Sequence, residues 1–407
     1  MRSSSRTYLR DMLGTALVVI AICAAINVMM DPLSLFAAPR IAGLNARKPY
    51  LEHHNQLTRW TLAKRACANA GIFGNSRAEI GFDPDNEVFR QLGLHAFNHA
   101  LPGSSIEVPV QQLTWLKQIG CMPKVIVLGV EFFDFLGDGT AAKPKPVPAA
   151  PRVDGKTLAE AVFSLTALRD SITTFNTQRA SHPATLTDDG FNPLLNYVQE
   201  VQVSGHFGLF RQKAVENLDR WSRKPARIGP VDGRRSSQFG ELDAFLALAR
   251  ESGSTVHLMV YPYHVEIRLM MERLGITPLF AAWKKTLVDT VEEQQNAGLQ
   301  IDLTDFSKVS EQTSERIPAA GDRSTALVNF WEAGHFKREL GDTMLRQVLL
   351  DQPGYGIRLT RASLEASRKD DARQLGEAVI RDPALGRELD FLFAGRKPPA
   401  GQTPSTH

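Results

Sequence analysis

The stretch Lys124-Val-Ile-Val-Leu-Gly-Val130 contains the clearest strand in this sequence. Its short, unbroken apolar run is typical of a strand that is buried on both faces of a parallel sheet. A second apolar run, residues 70–73, leads directly into a glycine turn, which also suits a buried parallel strand. Outward from these two runs, strands and helices alternate along the chain. This alternation predicts an α/β fold with a parallel sheet.

Further elements on both sides of these two strands extend the alternation. The predicted strands are residues 70–73, 95–98, 124–130, 255–262 and 299–303. The predicted helices of the same region are residues 58–70, 106–119, 239–250, 276–294 and 336–350. The carboxyl ends of parallel strands meet at one edge of the sheet, and open α/β sheets bind ligands at that edge. We therefore expect functional residues directly after the strands.

The sheet rhythm is interrupted between residues 138 and 235, which we interpret as an insertion in an α/β domain that covers residues 58–350. Residues 137–153 are rich in Pro, Ala and Lys (KPKPVPAAP), a composition that predicts a mobile surface loop. Residues 158–230 read as helices and loops without the strand rhythm, and we expect them to form a helical cap laid over the sheet.

The C-terminal part of the chain follows a different pattern from the α/β domain. Residues 351–396 are charged and helical in pattern, which predicts a helical extension. Residues 397–407 read as a disordered tail.

The N-terminal segment 12–30 (MLGTALVVIAICAAINVMM) carries no charge and is long enough to cross a bilayer as a helix. Three arginines precede it, at positions 2, 6 and 10, and positive charge favours the cytoplasmic side. This predicts a cytoplasmic segment 1–11, a single-pass anchor in the inner membrane, and an extracytoplasmic remainder. A cleaved signal peptide is the alternative, but it normally has a shorter apolar region and a small-x-small cleavage site, for which residues 37–38 are a poor match.

The overall composition excludes some classes of function. The 407 residues are 43% apolar and 22% charged, with a net charge of +3, which is typical of a globular protein. No long basic run is interleaved with aromatic residues, so we expect no nucleic-acid partner.

Three cysteines leave the redox chemistry open. Cys23 falls in the apolar N-terminal segment, whereas Cys67 and Cys121 either form a disulfide in an oxidising compartment or remain two buried thiols. No Cys/His cluster has the spacing of zinc ligands, so no metal or other cofactor is expected.

Two short motifs, far apart in the chain, contain the residue types of a nucleophilic site. Gly74-Asn75-Ser76 follows the first predicted strand, and Glu332-Ala-Gly-His335 lies near the end of the α/β domain. A serine hydroxyl needs a base within hydrogen-bond reach, and that base needs an orienting partner. Each motif also has a structural interpretation: Ser76 as a helix N-cap, and Glu332 and His335 as a solvated carboxylate and a partly buried histidine.

Two further polar residues follow predicted strands. His264 ends the stretch Tyr261-Pro-Tyr-His264, where it either contacts substrate or plays a structural part. Asp305 comes just after the last predicted strand, and it is the alternative orienting partner for His335 if Glu332 points away.

Together the two motifs resemble those of the SGNH (GDSL-like) hydrolase superfamily, in particular its membrane-anchored branch associated with bacterial exopolysaccharide and O-acetylation systems. The resemblance covers roughly residues 66–350. The family's nucleophile lies in a Gly-Asp-Ser or Gly-Asn-Ser turn, which here is Gly74-Asn75-Ser76. Its base lies in a late Asp-x-x-His block, which here is Glu332-Ala-Gly-His335 with glutamate in place of aspartate.

The residues that would bind the oxyanion depart from the family pattern. The family's asparagine follows the third strand in a Gly-x-Asn-Asp block, but here that strand ends Gly129-Val-Glu131-Phe-Phe-Asp134. Gly103 is the candidate for the glycine of the family's second block. Asn98, at the end of the preceding strand, is the candidate for a substitute amide donor.

The resemblance implies a three-layer α/β/α, flavodoxin-like domain and ester chemistry on a carbohydrate outside the cytoplasm. Ser76 would attack an acyl group such as acetyl, His335 would accept its proton, and Glu332 would orient the imidazole. The acyl group would pass to water or to a sugar hydroxyl, without metal or nucleotide. The alternative is a non-catalytic scaffold or glycan-binding component that works with polysaccharide assembly proteins. A structural extracytoplasmic domain without a ligand would leave the polar residues at three strand ends unexplained.

Overall fold

A computed structural model of the chain describes residues 2–51, 55–136, 153–222, 227–228 and 236–394. The predicted disordered tail and, except for Val153, the predicted mobile loop at 137–153 lie outside these residues. The chain divides into two compact units. The first comprises residues 1–65, 150–188 and 192–198, and the second comprises residues 66–149, 189–191 and 199–407.

The described residues form helices and strands that alternate through most of the second unit. The helices are α1 (Arg2–Met30), α2 (Asn55–Ala66), α3 (Ser76–Gly81), α4 (Glu87–Gln91), α5 (Glu107–Gln118), α6 (Gly155–Phe163), α7 (Leu165–Thr177), α8 (Leu195–Ser222), α9 (Ser237–Glu251), α10 (Val265–Arg273), α11 (Thr277–Asn296), α12 (Arg338–Leu349), α13 (Leu364–Arg381) and α14 (Pro383–Phe393). The strands are β1 (Ala70–Phe73), β2 (Ala96–Asn98), β3 (Val125–Val130), β4 (Thr255–Val260), β5 (Ile301–Asp305), β6 (Phe330–Glu332), β7 (His335–Phe336) and β8 (Ile357–Arg358). Two short 3₁₀ helices are Pro49–Leu51 and Phe132–Phe135.

The second unit is built on a mostly parallel sheet with the strand order β2-β1-β3-β4-β5-β8. The first five of these strands are parallel, and β8 pairs with β5 in the antiparallel sense. The five strands expected from the sequence are therefore confirmed. Their registers place Phe73 beside Leu128, and Val260 beside Asp305, so their carboxyl ends lie along one edge.

The central strands are apolar because both of their faces are covered. All four residues of β1 are buried, and so are five of the six residues of β3. Phe73 of β1, for example, packs edge-on against Phe245 of α9, with ring centroids 5.5 Å apart. Full burial of one such side chain contributes about 1.5–3 kcal/mol, so the strands are held mainly by this packing.

A disulfide between Cys67 and Cys121 decides between the two alternatives for these cysteines. Cys67 precedes β1 and Cys121 precedes β3, and their Cα atoms are 5.0 Å apart. Because β1 and β3 are neighbours in the sheet, the disulfide joins the two segments that lead into them.

The helices of the predicted cap are divided between the two units rather than forming one insertion. Helices α6 and α7 group with the N-terminal helix α1 in the first unit. Helix α8 lies mostly in the second unit and is interrupted at Gly205, whose backbone is not helical. The packing partners that separate these helices are distant in sequence, which is why their polarity pattern alone suggested a single cap.

Helix α1 is the one helix, among the residues that the structure describes, whose length and composition would allow it to cross a membrane. The segment Ser5–Met30 reaches a mean hydropathy of 2.4 over its most apolar window, and almost all of that window is exposed. These properties agree with the predicted anchor segment, although length and composition alone are weak evidence for a membrane span.

The strands β6 and β7 form a hairpin that the sequence analysis did not predict. They comprise only three and two residues, too few for an alternating pattern to be recognised. The helix expected at 336–350 therefore begins two residues later, as α12 at Arg338. The charged segment that follows is helical, as expected, in α13 and α14.

Candidate active site

The turn after β1 presents a single serine at the carboxyl edge of the sheet. Gly74 has a φ of 148°, and a Cβ atom there would lie 2.0 Å from the hydroxyl oxygen of Tyr261, so a larger residue does not fit. The side chain of Asn75 caps α3 by accepting a hydrogen bond from the backbone N–H of Arg77. Ser76 is the first residue of α3 and is partly exposed, whereas every other residue from 71 to 80 is buried. The interpretation of Ser76 as the N-cap is therefore wrong, because Asn75 caps the helix.

The hairpin β6–β7 brings the carboxylate and the histidine of the second motif together. Glu332 and His335 are paired across the two-residue turn Ala333-Gly334. One carboxylate oxygen of Glu332 faces Nδ1 of His335, and the other accepts a 2.9 Å hydrogen bond from the backbone N–H of Gly334. Both carboxylate oxygens are thus held in place.

The two motifs meet at the serine. The Oγ atom of Ser76 lies 2.8 Å from Nε2 of His335, across 259 residues of sequence. Because a carboxylate only accepts hydrogen bonds, Nδ1 of His335 carries the proton that faces Glu332, and Nε2 is left to accept the hydroxyl proton of Ser76. The predicted contact between Ser76 and His335 is confirmed, and so is the orientation of Glu332 toward the other ring nitrogen.

Neighbouring groups keep the carboxyl group of Glu332 ionised beside the imidazole of His335. Its side chain is buried, and burial by itself raises the pKa of the carboxyl group. His335, the Gly334 N–H and Arg77 together outweigh that effect and lower the pKa to about 2. Glu332 is therefore ionised at neutral pH, in the state that stabilises a positively charged imidazole.

Arg77 connects the serine turn to the hairpin and to β3. Its Nε donates a 2.6 Å hydrogen bond to the carbonyl oxygen of Gly334, and its guanidinium forms a buried ion pair with Glu131. The same guanidinium lies over the ring of Tyr263, 5.5 Å from the centroid. Arg77 thus fixes the hairpin turn relative to the strand ends.

Asp134 supports the serine turn from the other side. Its carboxylate accepts a 3.2 Å hydrogen bond from the side-chain amide of Asn75, the residue that caps α3. Burial raises the pKa of Asp134 to about 6, although Arg77 and the Asn75 hydrogen bond oppose this shift. Asn75, which caps α3, is therefore hydrogen-bonded to a carboxyl group that titrates in the weakly acidic range.

The loop that contains Gly103 lies beside the serine turn. The backbone N–H of Leu101 and the hydroxyl of Ser104 each lie 3.2 Å from the carbonyl oxygen of Gly74 and donate to it. Gly103 itself is exposed, with a φ of 67°. Its location fits the expectation, while its part in binding an oxyanion stays a prediction.

Asn98 does not supply the amide donor that we expected. It is fully buried, and its amide nitrogen donates 2.8 Å hydrogen bonds to the carbonyl oxygens of Ala78 and Phe82. Its side-chain oxygen accepts from the backbone N–H of Ala100. Because both amide hydrogens are engaged, Asn98 fastens α3 to the end of β2 instead of facing a substrate.

His264 and Asp305 also have structural places. His264 is fully buried: Nε2 donates to the carbonyl oxygen of Glu315 at 2.7 Å, and Nδ1 accepts from the N–H of Glu266. Asp305 forms a buried ion pair with Lys284 at 2.6 Å, and its other oxygen accepts from Ser307. The alternative in which Asp305 orients His335 is therefore wrong, since Glu332 takes that position.

Three residues near the site, of which Glu131 and His206 are buried, were missed as functional candidates from sequence. Glu131 and Asp134 were noted only as departures from a motif, although a charged residue directly after a buried strand is itself a signal. His206 of α8 gave no signal: its Nδ1 donates to the carbonyl oxygen of Trp331 at 3.1 Å, and its Nε2 accepts from the N–H of Leu327. These contacts hold the segment that leads into β6.

Within the described ranges, no group of three or more His, Cys, Asp or Glu side chains is arranged to hold a metal ion. No family model matches this chain, and no curated protein matches it. The functional interpretation therefore depends on the geometry of Ser76, His335 and Glu332 and on the resemblance of their motifs.

Proposed function

We propose that the protein is a membrane-anchored, extracytoplasmic serine ester hydrolase or O-acyltransferase of the SGNH type. The observation that carries this proposal is the hydrogen-bonded series Ser76–His335–Glu332 at the carboxyl edge of the sheet. The polysaccharide substrate and the acetyl group come from the resemblance of the motifs, and the geometry supports only the ester chemistry.

The proposed reaction follows from the protonation states of the three side chains. Ser76 Oγ attacks the carbonyl carbon of the ester while its proton passes to Nε2 of His335, and Glu332 stabilises the resulting imidazolium. The tetrahedral intermediate collapses, the alkoxide leaving group takes the proton from Nε2, and an acyl-serine remains. Water or a sugar hydroxyl then attacks the acyl carbon and gives its proton to Nε2. The second tetrahedral intermediate collapses by breaking its bond to Ser76 Oγ, which takes the proton back from Nε2.

The oxyanion of the intermediate requires donors close to Ser76. As the first residue of α3, Ser76 has a backbone N–H without an acceptor inside the helix, and this group is the first proposed donor. The loop containing Gly103 is the proposed source of a second one, because it is attached to the carbonyl of Gly74.

The order of the strands supports assigning the second unit to the flavodoxin-like folds. The strand order β2-β1-β3-β4-β5 is the doubly wound order of flavodoxin-like domains, with β8 added at one edge. We propose a three-layer α/β/α domain of this type. The replacement of the family's asparagine by Glu131, which is paired with Arg77, is the main departure from the SGNH pattern.

The proposed location rests on α1 and on the three arginines that precede its uncharged part. If α1 is a signal anchor, a reporter fused after Asp31 is active as an extracytoplasmic enzyme and inactive as a cytoplasmic one. Activity of the cytoplasmic reporter, or a mature protein that is released from the membrane, would contradict this location.

Labelling with a fluorophosphonate probe tests the ester chemistry directly. The full chain in detergent should be labelled at Ser76, because the probe reacts with serines that a neighbouring base activates. Ser76→Ala and His335→Ala should abolish labelling, whereas Ser237→Ala, at an exposed serine of α9, should not change it. A folded protein that is not labelled, or that is labelled equally after Ser76→Ala, would overturn the proposal.

A non-catalytic glycan-binding scaffold is the second candidate. The observation that favours it is the commitment of both amide hydrogens of Asn98 to backbone carbonyls, together with Glu131 in the place of the family's asparagine. In that case polysaccharide binding, measured by calorimetry, persists in both wild type and Ser76→Ala while neither protein hydrolyses acetyl esters. Ester hydrolysis that is lost in Ser76→Ala would exclude the scaffold.

A further inference from the structure

The only buried residues of the helix α7 are polar, whereas three of its apolar residues are exposed. The buried residues of α7 are Ser171 and Thr174. Leu165 is 81% exposed and Ile172 is 53% exposed, and Phe175 continues the same apolar stripe. A helix on the surface of a water-soluble protein has the opposite arrangement, because water favours polar residues outside.

The helix α6 and the turn after it also expose apolar residues. None of the nine residues of α6 is buried, although most of them are apolar. Leu158 is exposed, and Phe163, at the turn between α6 and α7, is 64% exposed. Together with Leu165, Phe163 makes this turn the most exposed apolar part of the helix pair.

These two helices are joined to the C-terminal part of α1 by a buried polar side chain. Asn27 of α1 is fully buried. Its amide nitrogen donates a 2.9 Å hydrogen bond to the carbonyl oxygen of Val162, and its oxygen accepts a 2.9 Å hydrogen bond from the hydroxyl of Ser171. Asn27 therefore holds both sides of the α6–α7 turn against α1.

Small polar residues between helices and apolar residues outside are the arrangement of helices that pack in lipid. There the lipid covers the apolar side chains, while side chains such as Asn27 and Ser171 satisfy each other across the interface. The exposed apolar surface of α1 continues this arrangement, since Leu17 and Ile22 are also more than half exposed. The three helices thus share one kind of surface within the first unit.

We propose that α6 and α7 are a membrane-interface element that lies in the lipid bilayer beside α1, with the turn Phe163–Leu165 inserted. This inference rests on the proposed membrane anchoring of α1. Asn27 lies three residues before the last residue of α1, about 4.5 Å along the helix axis, so the element lies where α1 leaves the bilayer. The charged residues of α6 and α7, such as Lys156 and Arg169, are exposed and able to reach the lipid headgroups.

The occupant of this surface is lipid, because the apolar residues that need a cover are continuous with the most apolar helix of the chain. The alternative occupant is a second copy of the protein. A protein partner would also shield Phe163 and Leu165 from water, but it would keep them away from lipid acyl chains. A probe that responds separately to polarity and to lipid contact distinguishes the two.

The test uses the full chain with one reactive cysteine, in vesicles of phosphatidylethanolamine and phosphatidylglycerol. Cys23→Ser removes the free thiol, and the Cys67–Cys121 disulfide is left intact. Phe163→Cys and Leu165→Cys then carry an NBD fluorophore. We expect blue-shifted emission that is at least halved when the vesicles contain nitroxide-labelled phosphatidylcholine. Circular dichroism verifies that each labelled protein is folded.

Two matched positions make the result interpretable. Leu17→Cys in α1 is the positive control for lipid contact, and Ile380→Cys, at a 78% exposed residue of α13, is the control for an apolar site in water. Quenching at 17, 163 and 165 but not at 380 supports the proposal. Quenching at 17 alone overturns it while the anchor stands, and blue-shifted emission without quenching at 163 and 165 indicates a protein partner and also overturns it. If position 17 is not quenched, the anchor and this inference both fail, whereas fluorophosphonate labelling of Ser76 remains an independent test of the enzyme.

Discussion

The surroundings of the serine turn in the second unit and the helices α1, α6 and α7 of the first unit place polar and apolar residues differently. In the second unit, the apolar side chains around the serine turn, such as Phe73 and Tyr261, are fully buried, and Ser76 and His335 remain partly exposed. In the first unit, Asn27 and Ser171 are buried while much of the apolar surface of α1, α6 and α7 is exposed. Apolar side chains are thus buried around the serine turn and exposed on these three helices.

This difference shows that a buried polar residue does not by itself indicate a functional site. Buried polar side chains of both units, such as Asn27 and Glu332, are hydrogen-bonded. Asn27 and Ser171 only join helices, whereas the buried groups of the second unit, Glu332 and Arg77, lie beside a serine–histidine pair that remains partly exposed. What distinguishes the candidate site is that Ser76 and His335 are partly exposed while the residues that hold them in place are buried.

The largest effect is expected on the catalytic rate, when Ser76 or His335 of the second unit is replaced. Ser76→Ala or His335→Ala should each lower kcat/KM for acetyl-ester hydrolysis by roughly 10⁴–10⁶-fold, and the double variant should be little worse, because the residues act as a unit. Glu332→Gln should also cost a large factor, since Asp305 is paired with Lys284 and does not replace it. Additive losses in the double variant would show that Ser76 and His335 act separately.

The next largest effect is expected on the free energy of unfolding, when the buried ion pair between Arg77 and Glu131 is broken. Arg77→Met leaves Glu131 buried without its partner, and we expect a loss of about 3–5 kcal/mol in the free energy of unfolding, measured with urea in detergent. Adding Glu131→Gln to Arg77→Met should restore part of the lost free energy of unfolding, because it removes the unpaired buried charge. The matched control is Lys285→Met, which breaks an exposed pair with Asp289 and should cost about 0.5 kcal/mol or less. Equal losses in the two single variants would contradict the supporting role of Arg77.

A smaller effect depends on pH and concerns Asp134. Its pKa in the folded protein is about 6, above the ordinary value of 3.8, so the folded state holds the proton more tightly than the unfolded state. The stability that Asp134 contributes is present below about pH 4 and is lost as the pH rises through 6. Relative to wild type, Asp134→Asn should therefore gain on the order of 2 kcal/mol in unfolding free energy between pH 4 and pH 7. A difference that shrinks over this range would refute the raised pKa.

The smallest effect compares neighbouring residues of α7. Ser171→Ala removes the hydrogen bond to Asn27 and should lower the unfolding free energy by about 1 kcal/mol. Ile172→Ser, at an exposed apolar position, should change it by less than about 0.5 kcal/mol in detergent. The reverse order, with Ile172 the more sensitive residue, would mean that the apolar face of α7 packs against protein.

Local patterns were sufficient to predict much of the fold and part of the site. Short apolar runs identified the five parallel strands, because a strand that is covered on both faces has no position for a polar residue. Ser76 and Glu332-x-x-His335 were recognisable only as a combination, because each motif alone also has a common structural use. Asn98 and His264 were misleading, because an amide or an imidazole at a strand end serves a backbone carbonyl as readily as a substrate.

The sequence by itself determined the alternation of strands and helices, the apolar character of α1 and the residue types available for a nucleophilic site. Only the tertiary structure decided that Asn75 caps α3, that Ser76 meets His335, that Cys67 pairs with Cys121, and that α6 and α7 pack on α1. The physical reason is the separation in sequence between the residues that interact. The spacing of apolar residues reflects the few neighbours within one element, whereas the partner of a polar side chain depends on which distant segments the packing of the whole core brings together.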